Sequence, residues 1–571
     1  FEPVLAGRDV VGRSRTGTGK TLAFGLPSIM RLVDLTIEKG TRNPSKGRMA
    51  PGRAVSMVVL CPTRELARQV QEEIDAVARP LGFQSAVFHG GVSYTPQLDA
   101  LRNGLDILVG TPGRIMDHQS QGSIDLSECN TVVLDEADEM LNMGFAENVE
   151  EIVNNVGSAN GEKTQFLLFS ATTPDWVKKI GRRYTDNPLS IDATGDEGGA
   201  RTASTVRHMA IRIAPGLNAR KAVIEDIIAV EISKSSAEKK AGGGVVDQKK
   251  MFGKTIIFCE TKKAADELVT GNAFSTLTAQ SLHGDHSQRQ RDMTLDGFRS
   301  GAFNVLVATD VAARGIDIKE VDLVIQLDPP RDVDTYVHRS GRTGRAGKKG
   351  VSILFFSHDQ ARDITDFERD LGHGFQFELT GPPAAEAALA ASAETSSLVL
   401  DTIPDSTTAV FKAKATELLS ESKDPTELVA RCLAAICRRS KQVDSRSLLT
   451  GEMGMVTVEM RSIESGSPLT VSDVMSTVSR LAEMSSGGDL EFKSEVGKAQ
   501  PYPANESIIF DMRASEARKL IEFSSDQESI EYSFSAVTAL EIDRGNFGSE
   551  RRGRNDGYGG YGGDWGGGGG G

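Results

Sequence analysis

Short apolar runs bounded by turn residues recur along the first third of the chain: "AVSMVVLCP", "SAVFHGG", "DILVGTP", "TVVLDEAD" and "TQFLLFSAT". Stretches with helical spacing separate them. Near-continuous apolar runs, rather than alternating ones, mark strands buried on both faces. Their alternation with helices predicts a parallel sheet covered on each side. Residues 1–192 read as one such domain, interrupted by a surface loop from Ile37 to Ala54. A linker follows over 193–204, where "TGDEGGARTAS" is rich in glycine and small polar residues. The rhythm restarts with "HMAIRIA", "KTIIFCET", "FNVLVATDV", "LVIQLDPP" and "GVSILFFS". This predicts a second α/β domain over 205–377, with another loop from Lys234 to Gly253.

Residues 378–439 start Ala- and Pro-rich and continue into helical pieces, a connecting segment. Over 440–543 the pattern changes. "GMVTVEMRS", "LEFKSEVGKA", "ESIIFDM" and "IEYSFSAVTALEI" are strand-like, while "TVSDVMSTVSRLAEM" and "ASEARKLIEFS" are helical. The order β-α-β-β-α-β predicts an α+β, RRM-like or ferredoxin-like sandwich. Phe492 and Phe510 suit its core as well as an exposed stacking face. The tail 544–571 is half glycine, which cannot bury a core, and is expected to be disordered.

Composition narrows the class. At 571 residues, 39% apolar and 25% charged, the chain is ordinary globular protein with room for three or four domains. The five cysteines are odd in number, widely scattered and without a C-x-x-C pair, so neither a disulfide frame nor a zinc site is expected, and a reducing interior compartment is. No apolar run is long enough to span a membrane. A net charge of −14 argues against an overall basic coat, so any polynucleotide site has to be a local groove. The chain begins at Phe1 close to its first motif, which reads as a fragment or a processed form.

That first motif is "SRTGTGKT", Ser14–Thr21, between the apolar "DVVG" and a run of helix formers. A strand, a Gly-rich turn and a helix N-terminus make an anion site, because backbone N–H groups and the helix dipole converge on it. Lys20 would reach terminal phosphates and Thr21 would hold Mg²⁺. Ser14 stands where the usual phosphate-loop pattern has glycine. In "TVVLDEAD" an apolar strand ends in two acids at the carboxyl edge of a sheet, where α/β proteins bind ligands. Asp135 can share the Mg²⁺, and Glu136 can orient or deprotonate an attacking water.

These letters begin a series. "PTRELA" (Pro62–Ala67), Gly90–Gly91, "TPGR" (Thr111–Arg114), "SAT" (Ser170–Thr172), "IIFCET", "HGDHSQRQR" (from His283), "ATDVAARGID" (Ala308–Asp317) and "HRSGRTGRAG" (His338–Gly347) follow in order. The chain thereby resembles the DEAD-box RNA helicases of superfamily 2. The resemblance implies two tandem RecA-like domains, ATP and Mg²⁺ as cofactors, RNA as partner, and RNA-dependent ATP hydrolysis coupled to unwinding of short duplexes. It assigns nucleotide contacts to Thr16, Gly17, Thr18, Gly19, Lys20 and Thr21, with Gly315 and Asp317 near the ribose. Catalysis falls to Lys20, Asp135, Glu136, Arg342 and Arg345; the two arginines, three apart on a helical turn, face the γ-phosphate as arginine fingers. Metal contacts, largely through water, fall to Thr21 and Asp135. Backbone-only grip on RNA falls to Pro62, Thr63, Arg64, Gly91, Thr111, Pro112, Gly113 and Arg114, continued by Gln288, Arg291, Thr309 and Asp310. Asp138, Ser170, Thr172 and His338 couple the domains. Relatives read adenine with a glutamine upstream of the phosphate loop, and this sequence starts after that position.

The region 440–543 resembles the GUCT domain that accompanies some of these helicases, chiefly through "SRSLLTGEMGMVTVEM" (Ser445–Met460). Relatives combining such parts with a Gly-rich tail work on ribosomal RNA and group II introns in plastids, mitochondria and nucleoli. An organelle is favoured over the nucleolus. GUCT and the tail would meet RNA or ribosome-assembly proteins; Arg544, Arg551, Arg552 and Arg554 suggest weak RNA attraction, tempered by three acids. An ATP-gated RNA clamp with little unwinding is the alternative activity.

Overall fold

The computed structural model describes residues 1–14, 19–38, 54–159, 164–172, 174–193, 202–241, 253–271, 273–274, 277–310, 321–372, 374–400, 403–437, 445–463, 469–502, 507–525, 531–538 and 540. Thr16, Gly17, Thr18, Gly315 and Asp317 lie outside the described residues, as do most of the loop 37–54, most of the linker and the tail.

The first lobe is built on seven strands: β1 (Val10–Arg13), β2 (Met57–Leu60), β3 (Ser85–Phe88), β4 (Ile107–Gly110), β5 (Thr131–Asp135), β6 (Gln165–Ser170) and β7 (Leu189–Asp192). Their order is β3-β4-β2-β5-β6-β1-β7, parallel throughout. Every residue of β2, β4, β5 and β6 is buried, as the unbroken apolar runs predict. The second lobe repeats the plan with β8 (Val206–Arg212), β9 (Thr255–Cys259), β10 (Ala279–Leu282), β11 (Val305–Thr309), β12 (Leu323–Gln326), β13 (Gly350–Phe356) and β14 (Glu378–Thr380). Its order is β10-β11-β9-β12-β13-β8-β14, again parallel.

One expected loop is in part a helix. Leu217–Ala241 is continuous, so Lys234–Ala241 is helical rather than looped. No glycine or proline interrupts it after Gly216, and Ile224, Ile227, Ile228 and Ile232 keep one face in the lobe core. The Ala-rich segment is also more than a tether: Ala385–Leu400 forms a helix packed on Leu217–Ala241.

The C-terminal unit has the expected order. Strands β15 (Met455–Ser462), β16 (Val496–Tyr502), β17 (Ser507–Arg513) and β18 (Tyr532–Ala536) pair antiparallel as β16-β17-β15-β18, with helices Val471–Ser485 and Ala514–Ser525 between them. The strand expected from Leu490 starts only at Val496. Before it, the Lys493 N–H donates to Glu516 Oε2 at 2.7 Å instead of joining a ladder, and Phe492 plugs the core. Phe510 is likewise core, so neither phenylalanine offers a face for stacking bases.

The outer face of this sheet is covered too. Ile509 packs with Ala384, Leu448, Tyr502 and Leu540. Buried Asp511 accepts hydrogen bonds from Ser447 Oγ (2.6 Å) and Thr457 Oγ1 (2.7 Å). Arg446, the residue before Ser447, reaches the second lobe, donating to Asp226 Oδ2 (2.7 Å), Ala222 O (2.7 Å) and Pro383 O (2.6 Å). The "SRSLLT" segment therefore staples the C-terminal unit to the second lobe. By contrast, the helices Asp405–Glu421 and Pro425–Ile436 bury no residue, and Val410, Phe411, Leu419 and Val429 lie exposed on them.

Candidate active site between the lobes

Strand order divides the carboxyl edge of the first lobe into two halves. β5, β6 and β1 are neighbours, so "DEAD", "SAT" and the phosphate loop emerge side by side. β3, β4 and β2 are the other neighbours, and they deliver Gly90–Gly91, "TPGR" and "PTRELA" together. The nucleotide residues thus sit beside, and not among, those expected to grip RNA.

On the nucleotide half, Gly19 adopts φ 85° just before the helix Lys20–Glu38. Lys20 Nζ donates to Ser14 O at 3.4 Å, so the residue that departs from the usual glycine still uses its backbone to seat the lysine. Asp135 is buried at the end of β5, and its Oδ1 accepts the Glu136 N–H at 3.0 Å. Burial pushes the Asp135 carboxyl up to about 7; Lys20 offsets part of this. Glu136 is a left-handed non-glycine residue, φ 52° and ψ 52°, a strained conformation of the kind concentrated at functional sites. It is buried, and its Oε2 has no hydrogen-bond partner among the described residues. A buried carboxylate whose proton affinity is raised, next to a carboxylate oxygen without a partner, is a donor set fitted to a hydrated divalent cation and an attacking water.

Asp138, Ser170, Thr172 and His338 lie together. Asp138 Oδ2 accepts from the Thr172 N–H (2.8 Å) and hydroxyl (2.7 Å), while its own N–H donates to Ser170 Oγ at 3.3 Å. His338 of the second lobe approaches Asp138 Oδ2 at 3.5 Å and Glu139 Oε2 at 3.7 Å; the longer reach makes this charge pairing more than aligned hydrogen bonding. Burial of Asp138 would raise its pKa, but the His338 contact and charge, then Thr172 and Ser170, hold it below the carboxylate range. Burial likewise opposes the His338 charge, yet Asp138, Glu139 and Glu136 hold its pKa above the ordinary value. Glu139 completes this hub, and nothing in the sequence singled it out.

Arg342 and Arg345 do not share one helical turn. The helix Val333–Ser340 ends at Gly341, and a left-handed Gly344 (φ 69°) separates two successive turns. Arg342 Nε donates to His338 O (3.1 Å), and Arg345 Nε to Gly341 O (3.0 Å). The termination at glycine, not helical periodicity, sets their directions. Arg345 and His338 line a cleft whose opposite wall is Arg13 and Ala171 of the first lobe.

On the other half, Thr63 caps the helix Arg64–Ala78 by accepting the Leu66 N–H at 3.2 Å. Pro62, Thr111 and Pro112 are buried beside it. Gly91 has φ 81°, and a Cβ there would meet Arg64 Nη1 at 2.4 Å, so only glycine lets the arginine lie on this turn. Arg114 is buried and points inward: it donates to Val92 O at 3.1 Å and lies 4.0 Å over the Tyr94 ring, shaping the glycine loop. Gly113 lies in the first turn of the helix Pro112–Ser120.

Several expected RNA residues meet one another across the lobes. Arg64 Nη1 donates to Gln288 Oε1 (3.1 Å), Arg291 pairs with Glu65 (2.7 Å), and Arg68 pairs with Asp292 (2.9 Å). Thr309 ends β11, and the adjacent Asp310 holds Arg339 through both oxygens at 2.6 and 2.7 Å. The Asp310 carboxylate is therefore a brace within the second lobe. Glu65, Arg68, Asp292 and Arg339 escaped sequence reasoning, although each adjoins or nearly adjoins a motif residue.

Two RecA-like lobes, the strand and helix that flank a phosphate loop on one, basic turns on the other and a polar hub joining them define the architecture of a two-lobe nucleotide-binding protein. The description "DEAD/DEAH box helicase" matches residues 1–180, "Helicase conserved C-terminal domain" matches 240–347, and "DDX21/DDX50 dimerisation domain" matches 384–436. The chain is 40% identical over 569 residues to DEAD-box ATP-dependent RNA helicase 3B, chloroplastic, of Zea mays, covering 97% of this chain and 70% of that protein. It is 42% identical over 463 residues to nucleolar RNA helicase 2 of Rattus norvegicus, covering 81% of this chain but only 54% of the relative. The structure of S. cerevisiae Dbp5 bound to RNA and ADP BeF3 superimposes with a TM-score of 0.51 at 25% identity, over 66% of this chain and 86% of that one. The chain belongs to the DEAD-box ATP-dependent RNA helicases.

Proposed function

We propose that this chain hydrolyses ATP when RNA is bound and uses the cycle to separate short duplexes or to remodel RNA–protein complexes. The observation that carries this reading is that the lobes touch at both halves of the cleft. Asp138 and His338 join them beside Asp135 and Glu136, and Arg64, Glu65, Gln288 and Arg291 join them at the polynucleotide edge. Nucleotide and RNA occupancy would thereby bias one closing equilibrium.

In this reading the phosphate loop through Thr21 seats the ATP phosphates, and Lys20 pairs with their charge. Thr21 and Asp135 would hold Mg²⁺, which when bound supplies Lewis acidity at the γ-phosphate. Glu136 orients the attacking water and takes its proton, and Arg342 and Arg345 close over the developing charge. Thr63, Gly91, Thr111, Gly113 and Thr309 present backbone and hydroxyl groups to the sugar–phosphate chain. The nucleolar and chloroplastic relatives support work on RNA in a nucleolus or an organelle, which we read as ribosomal RNA maturation or intron processing. The exposed apolar residues of 405–436, within the matched dimerisation region, support self-association through that hairpin.

The test is ATP turnover measured with RNA, with DNA of the same sequence, and with neither. Stimulation by RNA alone is expected. Equal turnover in all three would overturn the proposal.

A further inference from the structure

We propose a divalent transition-metal site on the second lobe, formed by Asp266, His283 and His286. One ligand atom from each lies within 4.8 Å of the others. The three come from separate pieces of chain. Asp266 lies on the helix Lys262–Thr270, and His283 follows edge strand β10; His286 belongs to the turn before the helix Gln288–Ser300. They meet at the carboxyl edge of a parallel sheet, where α/β folds collect ligands.

Both imidazoles have unmet bonding capacity. His283 is 4% exposed, and its Nε2 lies 2.9 Å from Asp266 Oδ1. An ion entering between them would take Nε2 and the carboxylate oxygen together, in place of that hydrogen bond. That Nδ1 is buried with no hydrogen-bond partner among the described residues, and the same is true of His286 Nδ1. The ring centroids lie 4.1 Å apart, with the ring planes tilted by 44°. Asp266 is half exposed, giving an ion a way in. Two cations close by have carboxylate partners of their own, Lys262 with Asp285 (2.7 Å) and Arg291 with Glu65 (2.7 Å). Two imidazoles, one carboxylate and water suit Zn²⁺ or Co²⁺ better than the oxygen-seeking Mg²⁺ or Ca²⁺.

The experiment titrates the tag-free full chain with Co²⁺ and follows its visible d–d bands, then displaces the ion with Zn²⁺. One equivalent should bind with imidazole and oxygen ligation. His286→Ala should abolish the bands, Asp266→Asn, which removes the carboxylate ligand, should weaken binding by about 100-fold or more, and Cys432→Ser, which removes an exposed thiol, should change nothing. Circular dichroism checks that the variants fold. Absence of the bands, their persistence in His286→Ala, or their loss only in Cys432→Ser would each overturn the proposal.

Discussion

Replacing His338 by alanine should loosen the closed lobes while leaving each lobe folded. The asymmetry of the hub sets the size. Asp138 keeps the Thr172 N–H and hydroxyl when the ring is gone, both within its own lobe at 2.8 and 2.7 Å. Asp138 keeps two donors and Glu139 alone loses a facing cation, so the cost is near that of one charge-assisted contact, about 1.5–3 kcal/mol, and below that of an ion left with no donor. This corresponds to about a 10- to 150-fold shift toward the open form. Protonation supplies an internal check. The pKa of His338 is raised by Asp138, Glu139 and Glu136 only where the lobes meet. Its contribution to closure is therefore complete below the ordinary value of about 6.5 and fades as pH rises through the raised one. Donor and acceptor dyes on the two lobes would measure the closed fraction with RNA and a non-hydrolysable ATP analogue across pH. In the parent chain closure should weaken as the solution becomes alkaline, and His338→Gln should flatten that trend. A closed fraction within twofold of the parent in His338→Ala, or an unaltered pH trend in His338→Gln, would refute the reasoning.

The other expectations test separate parts. Glu136→Gln keeps the shape of the strained turn but removes the proton acceptor; ATP turnover should fall about 10²–10⁴-fold with slower RNA release, and rapid release would contradict the role given to this residue. Arg446→Ala breaks the buried pair with Asp226, 2.7 Å long, that staples the C-terminal unit to the second lobe. Loss of about 3 kcal/mol should appear as faster hydrogen exchange in β15 and β17, whereas unchanged exchange would show that the staple contributes nothing. Phe411, which is 66% exposed, is expected to lie in a self-association surface; Phe411→Glu should convert the chain to monomer by sedimentation with RNA-stimulated turnover retained, and an unchanged mass distribution would count against that surface.

What could be read from the linear order was whatever depends on local spacing. The parallel-sheet strands announced themselves because burial on both faces demands unbroken apolar runs, as in β5. The coupling residues were legible because Asp138, Ser170, Thr172 and His338 stand in recognisable tags, and they do converge. The helix through Ala241 was misjudged because polar composition resembles a loop whether or not a neighbouring core holds one face. The arginine pair was misjudged because a three-residue spacing says nothing about where a helix stops.

Only the tertiary structure decided which residues became partners across long separations. It set Glu65 against Arg291, turned Arg114 inward, and bound Asp310 to Arg339. It also covered the outer face of the C-terminal sheet and gathered Asp266, His283 and His286 around a common point. The physical reason is that apolar periodicity is written into neighbouring residues, whereas the pairing of charges depends on strand order. Which carboxyl edges end side by side, and which lobe surfaces then face each other, is fixed when the sheets assemble.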